Sequence, residues 1–278
     1  MNTIIAATDF SPVATNAVNY AVRMAKETGS SIILFHVFEL PVVYTDVPVS
    51  IPDENELRKN AEDALQELKQ NLMNISAGEV KIYTQAEMGN PVTELEAYCK
   101  KIDPLTVVMG ALGKSAVEHV LFGSTTLAAI KRLRWPVIVV PVGVMFRPIK
   151  KIGMACDFRK VVETLPEKTI ENLLDNFKAE MHILNVDHNH KHFTADTPAE
   201  SLMVQTMFQK YNPQYHFIED EDIEKGINRF AEENNLDLII AVPKKHIFPA
   251  TVFHSSSTRK LVFRSHIPVA CVHEEEAG

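Results

Sequence analysis

Gly110, Gly113, Gly123, Ser124 and Thr125 are the residues of this chain whose types and spacing could do chemistry. Two residues separate the first pair of glycines, and nine separate Gly113 from Gly123. Upstream lies Thr106-Val107-Val108-Met109, an apolar run that predicts a buried parallel strand; downstream, Leu127 to Leu133 predicts a helix. A strand, a glycine loop and a Ser-Thr helix start together make an anion cradle, because unpaired backbone N–H groups and the positive end of the helix face one point. The glycines let the backbone approach a ligand and adopt positive φ. The stretch is not a P-loop. Gly113-Lys114-Ser115 imitates the end of that motif, but the motif needs a glycine five residues before Gly113, where Val108 stands.

The elements that must position this loop occur twice. Ile4-Ile5-Ala6-Ala7-Thr8-Asp9-Phe10 has a counterpart 148 residues later in Ile152-Gly153-Met154-Ala155-Cys156-Asp157-Phe158. Pro136-Val137-Ile138-Val139-Val140 recurs 132 residues later as Pro268-Val269-Ala270-Cys271-Val272, so the second copy is shorter, with the loss between Val186 and Val242. Each half alternates apolar strands with amphipathic helices, the pattern of βαβ units in a parallel sheet. The strands expected in half one are 3–7, 31–37, 80–85, 106–109 and 137–141; in half two, 151–155, 180–186, 214–218, 238–242 and 269–273. Ser11-Pro12 reads as an N-cap followed by a first-turn proline. The third helix follows Gly89-Asn90-Pro91, with Leu95, Ala97 and Tyr98 expected to face inward. Domains are expected at 1–144 and 150–278.

Composition bounds the function. An apolar share of 46% and a charged share of 23% are those of a globular protein, and a net charge of −8 without a Lys/Arg-rich stretch argues against nucleic acid. No apolar run reaches the ~20 residues needed to span a bilayer. The chain enters its first strand at once, without a signal-peptide pattern, and Cys99, Cys156 and Cys271 form no CxxC pair. Together these place it in a reducing cytoplasm.

Taken together, these residues resemble the universal stress protein family in its tandem, two-domain form. Gly110, Gly113, Gly123 and Ser124 match the family pattern G-x2-G-x9-G-[ST] without exception. The opening Ala7-Thr8-Asp9-Phe10-Ser11, the strand end Phe35-His36-Val37, Gly89-Asn90-Pro91 and the closing run 136–141 also stand where the family has them. The resemblance implies an α/β fold: two doubly wound, open parallel-sheet domains, adenine nucleotide alpha hydrolase-like, packed as a pseudo-dimer. It implies ATP, with or without Mg, at the carboxyl ends of the strands. Ala7, Asp9 and Val37 would line the adenine and ribose side, with Met88 and Gly89 closing over base or sugar. Met109 and Gly110 would flank the ribose and first phosphate, and Gly113, Gly123, Ser124 and Thr125 would hold the phosphates. The last strand commonly pairs domains in this family, so the halves are expected to pair through 137–141 and 269–273, with a homodimer left open.

Half two departs where a nucleotide would bind. With the 132 offset, Gly110, Gly113 and Gly123 become Val242, Lys245 and Ser255, and Met109 becomes Ala241. Ile218-Glu219-Asp220-Glu221-Asp222 is acidic near the position of Gly89. Half two is therefore not expected to bind ATP in the family manner. Asp187-His188-Asn189-His190-Lys191-His192 has zinc-like ligand types but no cysteine nearby in sequence, and reads as a solvated loop. No nucleophile elbow, HExxH or supported triad is present. The expected role is a nucleotide-dependent stress-response protein with no dedicated catalysis. The alternatives are an ATP-independent interaction module, or slow ATP hydrolysis or self-phosphorylation.

Overall fold

The computed structural model describes residues 2–40, 53–111, 123–187, 196–243 and 257–273. Two compact units emerge, Met1–Trp135 and Pro136–Gly278. In the first, strands β1 (Thr3–Ala7), β2 (Ser31–Phe38), β3 (Ile82–Met88) and β4 (Thr106–Gly110) alternate with helices α1 (Pro12–Thr28), α2 (Glu54–Ile75), α3 (Pro91–Ile102) and α4 (Ser124–Arg132). The strands are parallel in the order β3-β2-β1-β4, with Ala7 opposite Phe35 and Ala6 opposite Val108. Strands covered on both faces must be apolar throughout, and Ile4, Ile5, Leu34 and Val107 are fully buried. The chain leaves β1 towards β2 on one side and reaches β4 on the other. A crevice opens at such a switch point, outside the carboxyl ends of the strands.

Local chemistry fixes the helix starts. Ser11 holds extended backbone angles and its hydroxyl accepts the Ala14 N–H at 3.2 Å, with Pro12 in the first turn. Asn90 does the same for α3, its Oδ1 accepting the N–H groups of Val92 and Thr93 at 3.2 Å each. The buried stripe of α3 is Val92, Leu95 and Cys99. Ala97, expected inward, is exposed, and Tyr98 is half-buried against Phe35. The reason is helical spacing: 92, 95 and 99 step by three and four, whereas 97 lies round the far side.

The second unit contains β5 (Val137–Val140), β6 (Lys151–Ala155), β7 (Glu180–Asp187), β8 (Gln214–Glu219), β9 (Leu238–Ala241) and β10 (Val269–Cys271). Its helices are α5 (Val161–Thr164), α6 (Glu167–Phe177), α7 (Thr197–Met207), α8 (Ile223–Glu233) and α9 (Ser257–Arg264). The strand order is β5-β10-β9-β6-β7-β8. All neighbours are parallel except β5 and β10, which run antiparallel with Val139 opposite Val269. Thus the closing strand of the first sequence repeat stands in the second unit. The α/β repeat expected from the sequence is present; α5, four residues long and too short to carry a periodic signal, and α9 are the helices the sequence reading did not assign.

Under α8 lies a polar inclusion. His182 on β7 is 5% exposed, and its Nδ1 stands 3.0 Å from His216 Nε2 on β8, so one ring donates and the other accepts. Phe230 of α8 covers His216 at 4.6 Å between ring centroids. Burial, helped by His216 and Lys151 and opposed by Glu180, holds the His182 pKa below 6.5, and burial lowers that of His216. The unfolded chain therefore binds more protons than the folded one around that pH. The contribution of this pair is fully present above pH 6.5 and is lost as pH drops through it towards the lower folded values. We expect the thermal midpoint to fall between pH 7.5 and about pH 5, and a His182→Leu/His216→Leu variant to lose part of that slope. A midpoint flat over this range, or an unchanged slope in the variant, would contradict this role.

Candidate functional site

The carboxyl ends of β1, β2 and β4 and the starts of α3 and α4 enclose a cavity of about 220 Å³. Each wall has a local cause. At the end of β1 the chain turns sharply: Phe10 takes φ +61°, its N–H donates to Thr8 Oγ1 at 3.0 Å, and Ser11 N–H donates to Asp9 Oδ1 at 2.9 Å. This turn brings Ala7 and Asp9 to the cavity wall. From β2 come Phe35 and Val37, on one face of the strand two residues apart. Between them His36 points to the other face, where its Nδ1–H donates to the Thr8 carbonyl at 2.8 Å and its ring packs on Phe10. Pro91 and Leu95 of α3 complete an apolar wall suited to a flat ring.

The opposite end is polar. Met109 and Gly110 end β4, and Gly123, Ser124 and Thr125 begin α4, all lining the same cavity. Gly123 caps α4 with no side-chain hydrogen bond, and the helical ladder begins at Leu127 N–H to Gly123 O, 2.9 Å. The N–H groups of Ser124, Thr125 and Thr126 therefore have no partner within the helix. The first turn of α4 carries no acidic residue, so no side chain of that turn opposes an anion at its start. Gly110 has no room for a side chain: a Cβ there would stand 2.9 Å from Val13 Cγ1 and 3.0 Å from the Val13 carbonyl oxygen. Among the described lining residues Asp9 is the one ionisable side chain.

Eight of the expected residues thus meet in one cavity: Ala7, Asp9, Val37, Met109, Gly110, Gly123, Ser124 and Thr125. Met88 and Gly89 stand outside its lining. They end β3, the edge strand, where Gly89 takes φ +141° and its N–H donates to Phe38 O at 3.0 Å. Gly113 lies outside the described residues, as do Lys245, Ser255 and the 188–192 histidines. Among the described residues no three His, Cys, Asp or Glu side chains are grouped to hold a metal ion. The sequence did not mark Thr8, Ala14, Phe35, Pro91, Leu95 and Thr126 as site residues. Leu95 lies four residues after Pro91 in α3 and Thr126 two after Ser124 in α4, close to helix starts that carry local signals in the sequence. Burial pushes the Cys99 and Cys271 thiols up to about 12, which removes them as nucleophiles near neutral pH.

The second unit repeats the frame of this site without its glycines. Phe158 takes φ +51°, Arg159 N–H donates to Asp157 Oδ1 at 3.2 Å, and Asn185 Nδ2 donates to the Cys156 carbonyl at 2.9 Å, in place of His36 on Thr8. Yet Phe158 is 1% exposed and packs on Tyr215 and Phe217 of β8. Over the ends of β7 and β8, α8 approaches through Gly226, where a Cβ would meet Asp220 Cβ at 2.9 Å and Val186 Cγ1 at 3.3 Å. The acidic run near Asp220 has structural uses: Asp222 caps α8, accepting the N–H groups of Glu224 and Lys225, and Asp220 pairs with Arg229 at 2.9 Å.

The model of the Universal stress protein family matches residues 1–141. A universal stress protein of Methanocaldococcus jannaschii is 31% identical over 144 residues, 49% of this chain and 80% of that protein. One from Bacillus subtilis is 26% identical over 148 residues, 50% of this chain and 98% of that protein. The crystal structure of a universal stress protein from Archaeoglobus fulgidus superposes with a TM-score of 0.74, covering 99% of each chain at 18% identity, a likeness of fold.

The tight seat of Gly110 is directly measurable. Gly110→Ala must displace Val13, and overpacking of this kind costs about 1–3 kcal/mol. Denaturant unfolding should show that loss; a midpoint equal to wild type would mean that β4 and α1 are not packed this closely.

Proposed function

This chain belongs to the universal stress protein family, and from that premise we propose that its first repeat is an ATP-binding module whose occupancy sets conformation or partner choice in a stress response. The observation that carries the reading is the convergence of one apolar and one anion-seeking wall on a single cavity. Phe35, Val37 and Leu95 suit the base, Asp9 the ribose hydroxyls, and the start of α4 at Gly123-Ser124-Thr125 the phosphates. Asp9 is also the described lining residue with the chemistry to meet a Mg ion carried by the phosphates.

We assign binding rather than turnover. Phosphoryl transfer needs charge clamps and an oriented nucleophile as well as a cradle. The described lining offers one carboxylate and no cationic side chain. No helix among the described residues is long and apolar enough to cross a membrane, consistent with the cytoplasmic role we assign. We keep the family domains at 1–144 and 150–278, paired through β5 and β10. A second reading applies to the second domain alone. Val242 in place of Gly110 and the approach of α8 at Gly226 favour an ATP-independent interaction module there.

The test is a count. Protein purified from its host and denatured should release adenine nucleotide, and calorimetry should give one ATP site per chain. Gly123→Val should abolish binding and Ser255→Ala should not change it. Absence of any ATP affinity in the wild type would overturn the reading. Two sites per chain would overturn the asymmetry between repeats, and ATP turnover above a Gly113→Val control would restore the enzyme alternative.

A further inference from the structure

We infer that Thr126 is a positioning residue for the phosphate end of the cavity, acting by occupying the Gly110 carbonyl oxygen. The inference rests on the nucleotide reading above and adds a residue outside the glycine pattern. Thr126 is 4% exposed and lines the cavity, and its Oγ1 donates to Gly110 O at 2.8 Å across sixteen positions of sequence. The Gly123 N–H donates to Ala111 O at 3.2 Å beside it. These two bonds tie the end of β4 to the start of α4.

The bond has two consequences. It fixes the first turn of α4 against a strand end whose own position is set by close packing on Val13. Placement of that turn decides where the free N–H groups aim, and helix-terminus attraction falls off within a single turn. The bond also gives a donor to the buried carbonyl of a residue that lines the cavity. Left unpaired, that oxygen would carry its partial negative charge next to the phosphates, and a buried acceptor without a donor is costly in its own right. The phosphate end therefore needs a hydroxyl at 126. Valine has the shape of threonine without the donor, and serine has the donor without the methyl.

The experiment compares wild type, Thr126→Val and Thr126→Ser by calorimetric titration with ATP, adenosine and tripolyphosphate. Thr126→Val should weaken ATP and tripolyphosphate by about tenfold or more, as expected for one unmade buried hydrogen bond. Its adenosine affinity should fall at least several-fold less, and Thr126→Ser should recover most of the ATP affinity. Should the valine variant not fold, Thr126→Ala takes its place with the same expectation. Equal losses for adenosine and ATP would make Thr126 a general packing residue and overturn the inference. So would an ATP affinity of Thr126→Val equal to that of a wild type that binds. A wild type that binds neither ATP nor tripolyphosphate overturns the nucleotide reading itself, and this inference with it.

Discussion

A parallel strand that runs up to a ligand ends in carbonyl oxygens, the wrong polarity for an anion. A site at the carboxyl ends of a parallel sheet can accept phosphate only if those oxygens are taken up elsewhere. In the first unit four of them are. Thr8 O receives His36 Nδ1–H, Phe38 O receives the Gly89 N–H, Gly110 O receives the Thr126 hydroxyl and Ala111 O receives the Gly123 N–H. The first turn of α4 then contributes donors at a point where the strand ends contribute few acceptors. The sharp turn at Phe10, the buried placement of Thr126 and the lack of room at Gly110 all serve that arrangement.

The two repeats separate what the fold needs from what a ligand needs. The second keeps the left-handed residue after β6, the Asp157 turn and a side-chain donor for the Cys156 carbonyl. These parts join strands to helices and satisfy backbone groups, so the sheet requires them whether or not anything binds. It lacks the glycines, of which Gly110 in the first unit also seats β4 against Val13 of α1. The space is then used differently. Phe158 turns into the core against β8, and α8 comes down on the strand ends through Gly226.

Most of the frame was legible in the sequence because its signals are local. Four to seven apolar residues in a row, Ser11-Pro12 and Asn90-Pro91 each declare a strand or a helix start within a few residues, and the structure places β1 at Thr3–Ala7 and α3 from Pro91 as read. The glycine spacing likewise brackets the junction between β4 and α4. What was not legible depends on three-dimensional neighbours. Whether β3 reaches the cavity depends on its place at the sheet edge, so Met88 and Gly89 were assigned to a wall that α3 provides through Pro91 and Leu95. Ala97 was assigned inward from hydrophobicity alone, although its angular position opposes Leu95. His182 and His216 are 34 residues apart, and only strand pairing brings them together.

The walls of the cavity are also joined away from it. Arg132, in the last turn of α4, pairs with Glu96 of α3 and donates to Thr93 Oγ1 at 3.1 Å, while Lys100 holds Glu96 at 2.6 Å. Hydrogen bonds from Lys100 and Arg132 lower the Glu96 pKa, so the carboxylate is charged throughout the neutral range. The cations are half or more exposed, and ion pairs in that setting contribute little to stability because water already solvates both partners. Their consequence is directional. A nine-residue helix is roughly 13 Å long and stiff, so a fixed far end leaves α4 free mainly to pivot at Ser124, where the phosphates would sit. Exposed pairs cannot hold that pivot still on their own. The buried bond from Thr126 to Gly110 stands at the moving end, protected from solvent competition, and that is where a single hydrogen bond has most effect on the aim of the helix.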